Sequence, residues 1–282
     1  MRVVLTGGTG YIGAAVLRRL LERGHEVTAV VRSDASADAV RQAGAQPALG
    51  NLGDAGWLAS LLAGSDGAIH TADLGGAGDD TVIDAVVAAF GGTTRPYVHT
   101  GGIWSWGSGD DLTEDSPLAP PALTAWRAAR EARLLASDAA AAVIAPAVVY
   151  GHGRGIPVGV LVGNRDEEGV IPLVGSGEQH WASVHVDDLA ELYVLALEQG
   201  ATGVFIGASG GNPTVRELAE ATGSVVRPES VDASRERLGA GFADALLLDQ
   251  QASGAKARTV LGWAPTRPSA VDELRELVTT SA

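Results

Sequence analysis

The chain has 282 residues, nearly half of them apolar, with 38 glycines, no cysteine and a formal net charge of −14. That length and apolar content support one large domain, or a domain with a smaller appended lobe, around a sizeable core. Without cysteine there are no disulfides, thiolate nucleophiles or cysteine-based zinc sites; the acidic balance argues against nucleic acid or an anionic membrane as partner.

From the N-terminus, residues 2–6 (Arg2-Val3-Val4-Leu5-Thr6) read as a short strand followed by a glycine-rich turn. Residues 12–23 then repeat Ile12, Val16 and Leu20 every fourth position, with Arg18, Arg19 and Glu22 opposite, which predicts an amphipathic helix ended by Gly24. Strands are predicted over 26–31, 68–72 and 96–100, with a longer one over 142–150. Helices are predicted over 54–63, 80–90 and 122–138. Short apolar strands separated by helices imply a parallel sheet covered on both faces. Beyond residue 151 the pattern loosens into a Gly- and Pro-rich segment. A helix over 187–198 follows, with Asp187 as its N-cap, then a strand over 204–207 and a helix opening near Asn212-Pro213-Thr214. The expected architecture is α/β: a Rossmann-type doubly wound parallel sheet over 1–150 and a smaller substrate-binding lobe over 151–282. Segments near 183–210 are expected to return to the first domain.

The turn Thr6-Gly7-Gly8-Thr9-Gly10-Tyr11-Ile12-Gly13 carries the strongest chemical signal. Its glycines follow an apolar strand and open an amphipathic helix, where glycine permits a tight turn and lets backbone approach a pyrophosphate. The N–H groups from Thr9 through Gly10 and Tyr11 to Ile12 then face an anion at the positive end of the helix. A Walker-type loop is excluded, since no Gly-Lys-Ser/Thr ending is present. The second strand ends Val30-Val31-Arg32-Ser33. Arg32 and Ser33 suit a ribose 2′-phosphate, which favours NADP; Asp34, one residue on, keeps NAD as the alternative.

These residues resemble the short-chain dehydrogenase/reductase superfamily in its extended or atypical branch, the NAD-dependent epimerase/dehydratase group. The resemblance runs nearly the whole length. Thr6–Gly13 is similar to the branch's TGxxGxxG loop, and Gly50-Asn51-Leu52 sits where the family contacts adenine. Thr71 and Ala72 end the strand beside the cofactor, and Pro146-Ala147-Val148 falls in the segment by the nicotinamide. His180-Trp181-Ala182-Ser183-Val184-His185-Val186-Asp187-Asp188-Leu189-Ala190 follows the family's late W-x-x-V-H-V-D-D-L-A signature.

The family's tyrosine-lysine pair is altered. Matched to Thr124-Ala125-Trp126-Arg127-Ala128-Ala129-Arg130-Glu131, it places Trp126 at the tyrosine and Arg130 at the lysine. Gly102 replaces the usual catalytic serine. The resemblance therefore implies Thr100, Arg130 and Tyr150 as the catalytic candidates, with Thr100 and Arg130 also touching the cofactor. Trp104, Ser105, Trp126, His180 and Trp181 are implied around the substrate. Gathered tryptophans suit an apolar or aromatic ligand better than a nucleotide sugar. The expected function is an NADP-dependent reductase acting on a small carbonyl or activated alkene. A redox-neutral epimerase, isomerase or cyclase that retains the cofactor, and a non-catalytic NADP-binding sensor, are the alternatives. The six histidines show no HExxH spacing, so no metal is expected. Neither a signal peptide nor a bilayer-length apolar run is read, so the cytoplasm is the expected location, with a homodimer as the family expectation.

Overall fold

A computed structural model describes residues 1–280. The first half alternates strand and helix: β1 Arg2–Thr6, α1 Tyr11–Glu22, β2 Glu26–Val31, α2 Asp34–Gln42, β3 Gln46–Leu49, α3 Ala55–Ala63, β4 Gly67–His70, α4 Gly75–Phe90 and β5 Tyr97–Thr100. A 3₁₀ turn over Ile103–Trp106 and β6 Gly109–Leu112 lead to α5 Trp126–Leu135, β7 Ala141–Pro146, β8 Val148–Gly151, β9 Arg154–Gly155 and α6 Ile156–Val160. The rest comprises β10 Ile171–Pro172, β11 Ser183–His185, α7 Val186–Glu198, β12 Gly203–Gly207, α8 Val215–Glu220 and β13 Val226–Arg227. It ends with α9 Val231–Leu238, α10 Ala240–Leu246, β14 Gln250–Ala252, α11 Ala255–Leu261 and α12 Ala270–Thr280.

Seven strands form one sheet in the order β12-β7-β5-β4-β1-β2-β3. Every pair in it is parallel. The central strands are apolar on both sides because helices cover both faces: α1 and α7 pack on one, α3, α4 and α5 on the other. Strand order reverses between β1 and β4, so the crevice outside their carboxyl ends is the topological switch point where α/β proteins bind ligands.

Three expectations need correction. The long strand expected over 142–150 breaks at Ala147. β7 stays in the main sheet, whereas β8 leaves it to pair with β11 and β9. α5 is shorter than expected and begins at Trp126, after a turn in which Arg127 N–H bonds the Thr124 carbonyl. The cap of α7 is His185 rather than Asp187: its Nδ1 accepts from the Asp187 N–H at 3.1 Å. Asp187 instead anchors Arg18, Arg267 (3.1 Å) and His152 (3.1 Å), tying α1 and α7 to the loops beside them.

Candidate functional site

The turn after β1 is built for close backbone approach. Gly7 adopts φ +75° because Gly10 N–H must reach back to its carbonyl at 2.8 Å. A Cβ on Gly7 would lie 2.6 Å from Ala72 N, so the loops after β1 and β4 touch without space for a side chain. Gly13 is equally hemmed in, with its missing Cβ 2.6 Å from Thr71 Oγ1. The α1 N-cap is Gly10, which has no side chain to cap the helix. The N–H groups of Tyr11, Ile12 and Gly13 therefore have no carbonyl within the helix, and the helix dipole points its positive end at the crevice. This cradle fits a dinucleotide pyrophosphate.

Around the cradle the expected cofactor residues fall into three places. Arg32 and Ser33 lie exposed at the end of β2. The Ser33 hydroxyl accepts from Ser36 N–H at 3.3 Å and caps α2, while the Arg32 guanidinium forms no contact among the described residues that would hold it back. Asn51 turns its side-chain oxygen onto Gly53 N–H at 2.9 Å, and Leu52 is buried beneath it. Thr71 Oγ1 donates to the Thr6 carbonyl at 2.8 Å, locking β4 to β1. Ile12, Thr71, Ala72, Thr100, Pro146, Ala147 and Val148 all line one cavity of about 330 Å³ at the switch point.

The same cavity is closed by Trp104, Ile103 and Ile156, with Thr124 and Arg127 on its rim. Trp104 meets Phe242 edge to face, with ring centroids 6.1 Å apart, so the lobe adds an aromatic wall. Arg127 approaches the Thr100 carbonyl (3.4 Å) and Asp73 (3.9 Å) and lies over the Trp126 ring at 4.4 Å. Thr124 Oγ1 is buried without a hydrogen-bond partner, a donor free for a ligand oxygen.

Several expected site residues lie elsewhere. Arg130 points away from the cavity into α4. It donates to the Gly76 carbonyl at 2.8 Å and to Asp80 at 2.7 Å, because Asp80 is the carboxylate within its reach on the neighbouring helix. The cation at the cavity is Arg127, three residues earlier. Both arginines lie over the Trp126 ring, at 4.4 Å and 5.5 Å, its Nε1 donates to the Leu123 carbonyl, and it does not line the cavity. Tyr150 is buried, its hydroxyl donating to the Pro268 carbonyl at 2.8 Å and its pKa raised by desolvation, so it is no proton donor for this site. The Thr100 hydroxyl donates to the His70 carbonyl at 2.6 Å and pairs with Tyr193 at 2.7 Å, which removes it as an acid although the residue lines the cavity. Ser105 is buried within the 3₁₀ turn and does not line the cavity. Trp181 is buried with Nε1 on the Leu246 carbonyl, and His180 pairs with Asp249 at 2.9 Å. Both belong to the joint between lobe and sheet.

Sequence spacing misses Arg127 because Arg127, Arg130 and Glu131 lie seven, four and three positions before Leu134, the fully buried residue of α5, and so share one side of the helix. His152, His185 and Asp187 cluster within metal-ligand distance of one another. The Asp187 carboxylate is already held by Arg18 and Arg267, and His185 Nδ1 accepts a backbone N–H, so the cluster is an ion-pair node.

Residues 7–148 match the family model described as NAD(P)H-binding. An uncharacterized Schizosaccharomyces pombe protein is 32% identical over 97% of this chain and 98% of its own. A Streptomyces 3-diazoavenalumate denitrifying reductase is 30% identical over 97% and 99%. A 2-alkyl-3-oxoalkanoate reductase of Stenotrophomonas maltophilia is 31% identical over 72% and 67%. Among solved structures, a human epimerase family protein with NADPH superposes with a TM-score of 0.76 at 23% identity, covering 99% of both chains. The UDP-glucose 4-epimerase of Thermus thermophilus with NAD gives 0.75 at 22% identity, over 99% and 98%. With its glycine cradle at the switch point of a seven-stranded parallel sheet, the chain belongs to the NAD(P)-binding, extended short-chain dehydrogenase/reductase family of epimerases, dehydratases and reductases.

Proposed function

We propose that this protein is an NADPH-dependent reductase of a small apolar carbonyl or activated alkene. The observation that carries the reading is the lining of the cavity: Ile12, Ile103, Trp104, Pro146, Val148 and Ile156 surround it, and Arg127 is its single cation. A nucleotide sugar would need cations for its diphosphate. Four arginines of the lobe, Arg216, Arg227, Arg235 and Arg237, are instead paired with Glu178, Asp166, Asp244 and Glu229, and Arg154 lies over the Tyr11 ring. The reductases among the relatives support the same reading, as named for a 3-oxoalkanoate and for a diazo compound.

When bound, a dihydronicotinamide supplies hydride. This chain's residues do the rest. The Gly7–Gly13 cradle would hold the pyrophosphate, and Thr71, Pro146, Ala147 and Val148, which line the cavity beside it, would hold the reactive ring. Trp104 and Ile156 press the substrate into place and exclude water. Arg127 and the free Thr124 hydroxyl face the oxygen on which negative charge gathers. Arg32 at the end of β2 favours the 2′-phosphate of NADP. The test is NADPH oxidation followed by absorbance over a panel containing an aryl aldehyde, a 2-alkyl-3-oxoalkanoate and an α,β-unsaturated ketone. Consumption of NADPH with formation of the reduced product is expected. Product formation without cofactor consumption would point to the redox-neutral alternative, and binding without any turnover to a sensor.

A further inference from the structure

A carbonyl reduced in this cavity needs a proton, and the usual sources are spent. Thr100 donates to the His70 carbonyl and Tyr150 to Pro268. Tyr11 donates to the Gly151 carbonyl at 2.8 Å. Tyr193 is buried behind Thr100. Arg127, a guanidinium, suits charge stabilisation rather than proton donation.

Among the described residues, the carboxyl oxygens Glu131 Oε1 and, behind it, Asp79 Oδ1 are buried without a hydrogen-bond partner, and Glu131 is the one against a residue that lines the cavity. Glu131 lies one helical turn after Arg127 on the same face of α5, and its Oε1 is buried and unbonded. That oxygen sits 2.9 Å from the place where a Cβ on Gly101 would be, and Gly101 lines the cavity. A Cβ at Gly101 would clash with this oxygen and with Val143 Cγ1, also 2.9 Å away, so glycine lets the carboxyl group lie directly against backbone that lines the cavity. The groups facing Glu131 are Arg127 on α5 and Asp79 on α4. Asp79 is itself buried at the Nε2 edges of His70 on β4 (3.5 Å) and His99 on β5 (3.9 Å), whose rings stack on each other. Burial is the main influence on Glu131 and raises its pKa, Arg127 opposes this and Asp79 adds to it. An unbonded buried carboxylate is costly, whereas the neutral acid carries an O–H ready to give.

We propose that Glu131 is the proton-donating residue of the cavity, delivering its proton past Gly101 to the oxygen of the reduced substrate. This rests on the reductase reading. Hydride adds to the carbonyl carbon and forms the new C–H bond; the carbonyl π pair moves onto oxygen. That oxygen takes the proton from the Glu131 carboxyl, the dihydronicotinamide is oxidised, and the carboxylate recovers a proton from solvent. The acid form is required, so turnover falls as pH rises through the pKa of Glu131.

The first measurement needs no substrate: a pH titration of protein labelled with ¹³C at the glutamate carboxyls, with the Glu131 signal identified by its loss in Glu131→Gln. A midpoint above the ordinary glutamate value of about 4.3 is expected; a midpoint at or below it overturns the proposal. The second uses whichever panel carbonyl is turned over. Glu131→Gln should lower kcat by about 100-fold or more, abolish the alkaline fall of the kcat profile and leave NADPH affinity unchanged. Glu131→Asp, which keeps an acid, should restore part of the rate and the alkaline limb. Unchanged kcat and pH profile in Glu131→Gln would overturn the donor role. An inactive panel counts against the reductase reading, and the carboxyl titration still decides on Glu131.

Discussion

The substitution Gly13→Ala tests the cradle most sharply, because chain propensity and sterics pull in opposite directions. Gly13 lies inside α1, where alanine is favoured over glycine by about 1 kcal/mol. The new methyl would lie 2.6 Å from the Gly7 carbonyl carbon and 2.6 Å from Thr71 Oγ1. Neither neighbour is free to move: the Gly7 carbonyl accepts from Gly10 N–H at 2.8 Å, and Thr71 Oγ1 donates to the Thr6 carbonyl at 2.8 Å. Overpacking of this kind costs about 1–3 kcal/mol. Spent on the geometry of the cradle, that is roughly a fivefold to hundredfold loss of NADPH affinity. Gly24→Ala is the control. Gly24 has φ +78° but nothing within 4 Å of its missing Cβ. It should lose about 1–2 kcal/mol of stability to the left-handed backbone and keep its affinity. NADPH fluorescence titration and urea unfolding read the two effects separately. If Gly13→Ala binds NADPH within about twofold of the parent, the pyrophosphate does not sit in this turn.

Arg127 and Arg130 should separate cleanly. Arg127→Ala should lower kcat/KM at least tenfold, about 1.4 kcal/mol, whereas Arg130→Ala should lower the unfolding free energy by up to about 1 kcal/mol, read as a lower urea midpoint, with turnover intact. Arg32→Ala should reduce NADPH affinity about tenfold and leave NADH affinity unaltered, read by parallel titrations; equal losses for both would remove the 2′-phosphate role. Trp104→Ala, which opens the wall shared with Phe242, should raise KM for apolar substrates with a smaller change in kcat, read by steady-state kinetics. His99 is held well below the usual imidazole range by burial, with His70 and Arg127 adding to the effect. The unfolded chain binds a proton below about pH 6.5 that the folded one refuses, so this stability is complete above that pH and is lost as pH falls. His99→Gln should flatten the dependence of the urea midpoint on pH over that acidic range.

The local pattern decided a good deal by itself. A strand, a turn of glycines and an amphipathic helix at residues 2–23 specify backbone that approaches an anion, whatever follows, because φ at Gly7 and the orphan N–H groups of α1 are properties of the segment. Alternating short strands and helices likewise fix a covered parallel sheet. Which side chains reach the cavity was decided only in three dimensions. On α5, Arg127 and Arg130 lie one turn apart, and spacing alone does not tell the cavity face from the face against α4; the Gly76 carbonyl and the Asp80 carboxylate, which hold Arg130 on α4, do. Tyr150 and Thr100 carry hydroxyls in promising stretches, but the carbonyls of Pro268 and His70, distant in sequence, consume them. Gly101 and Glu131 stand thirty residues apart in the chain and meet because α5 packs against β7, the neighbour of β5 in the sheet. Backbone geometry is written locally, whereas the reach and protonation of a side chain depend on neighbours that only the folded chain supplies.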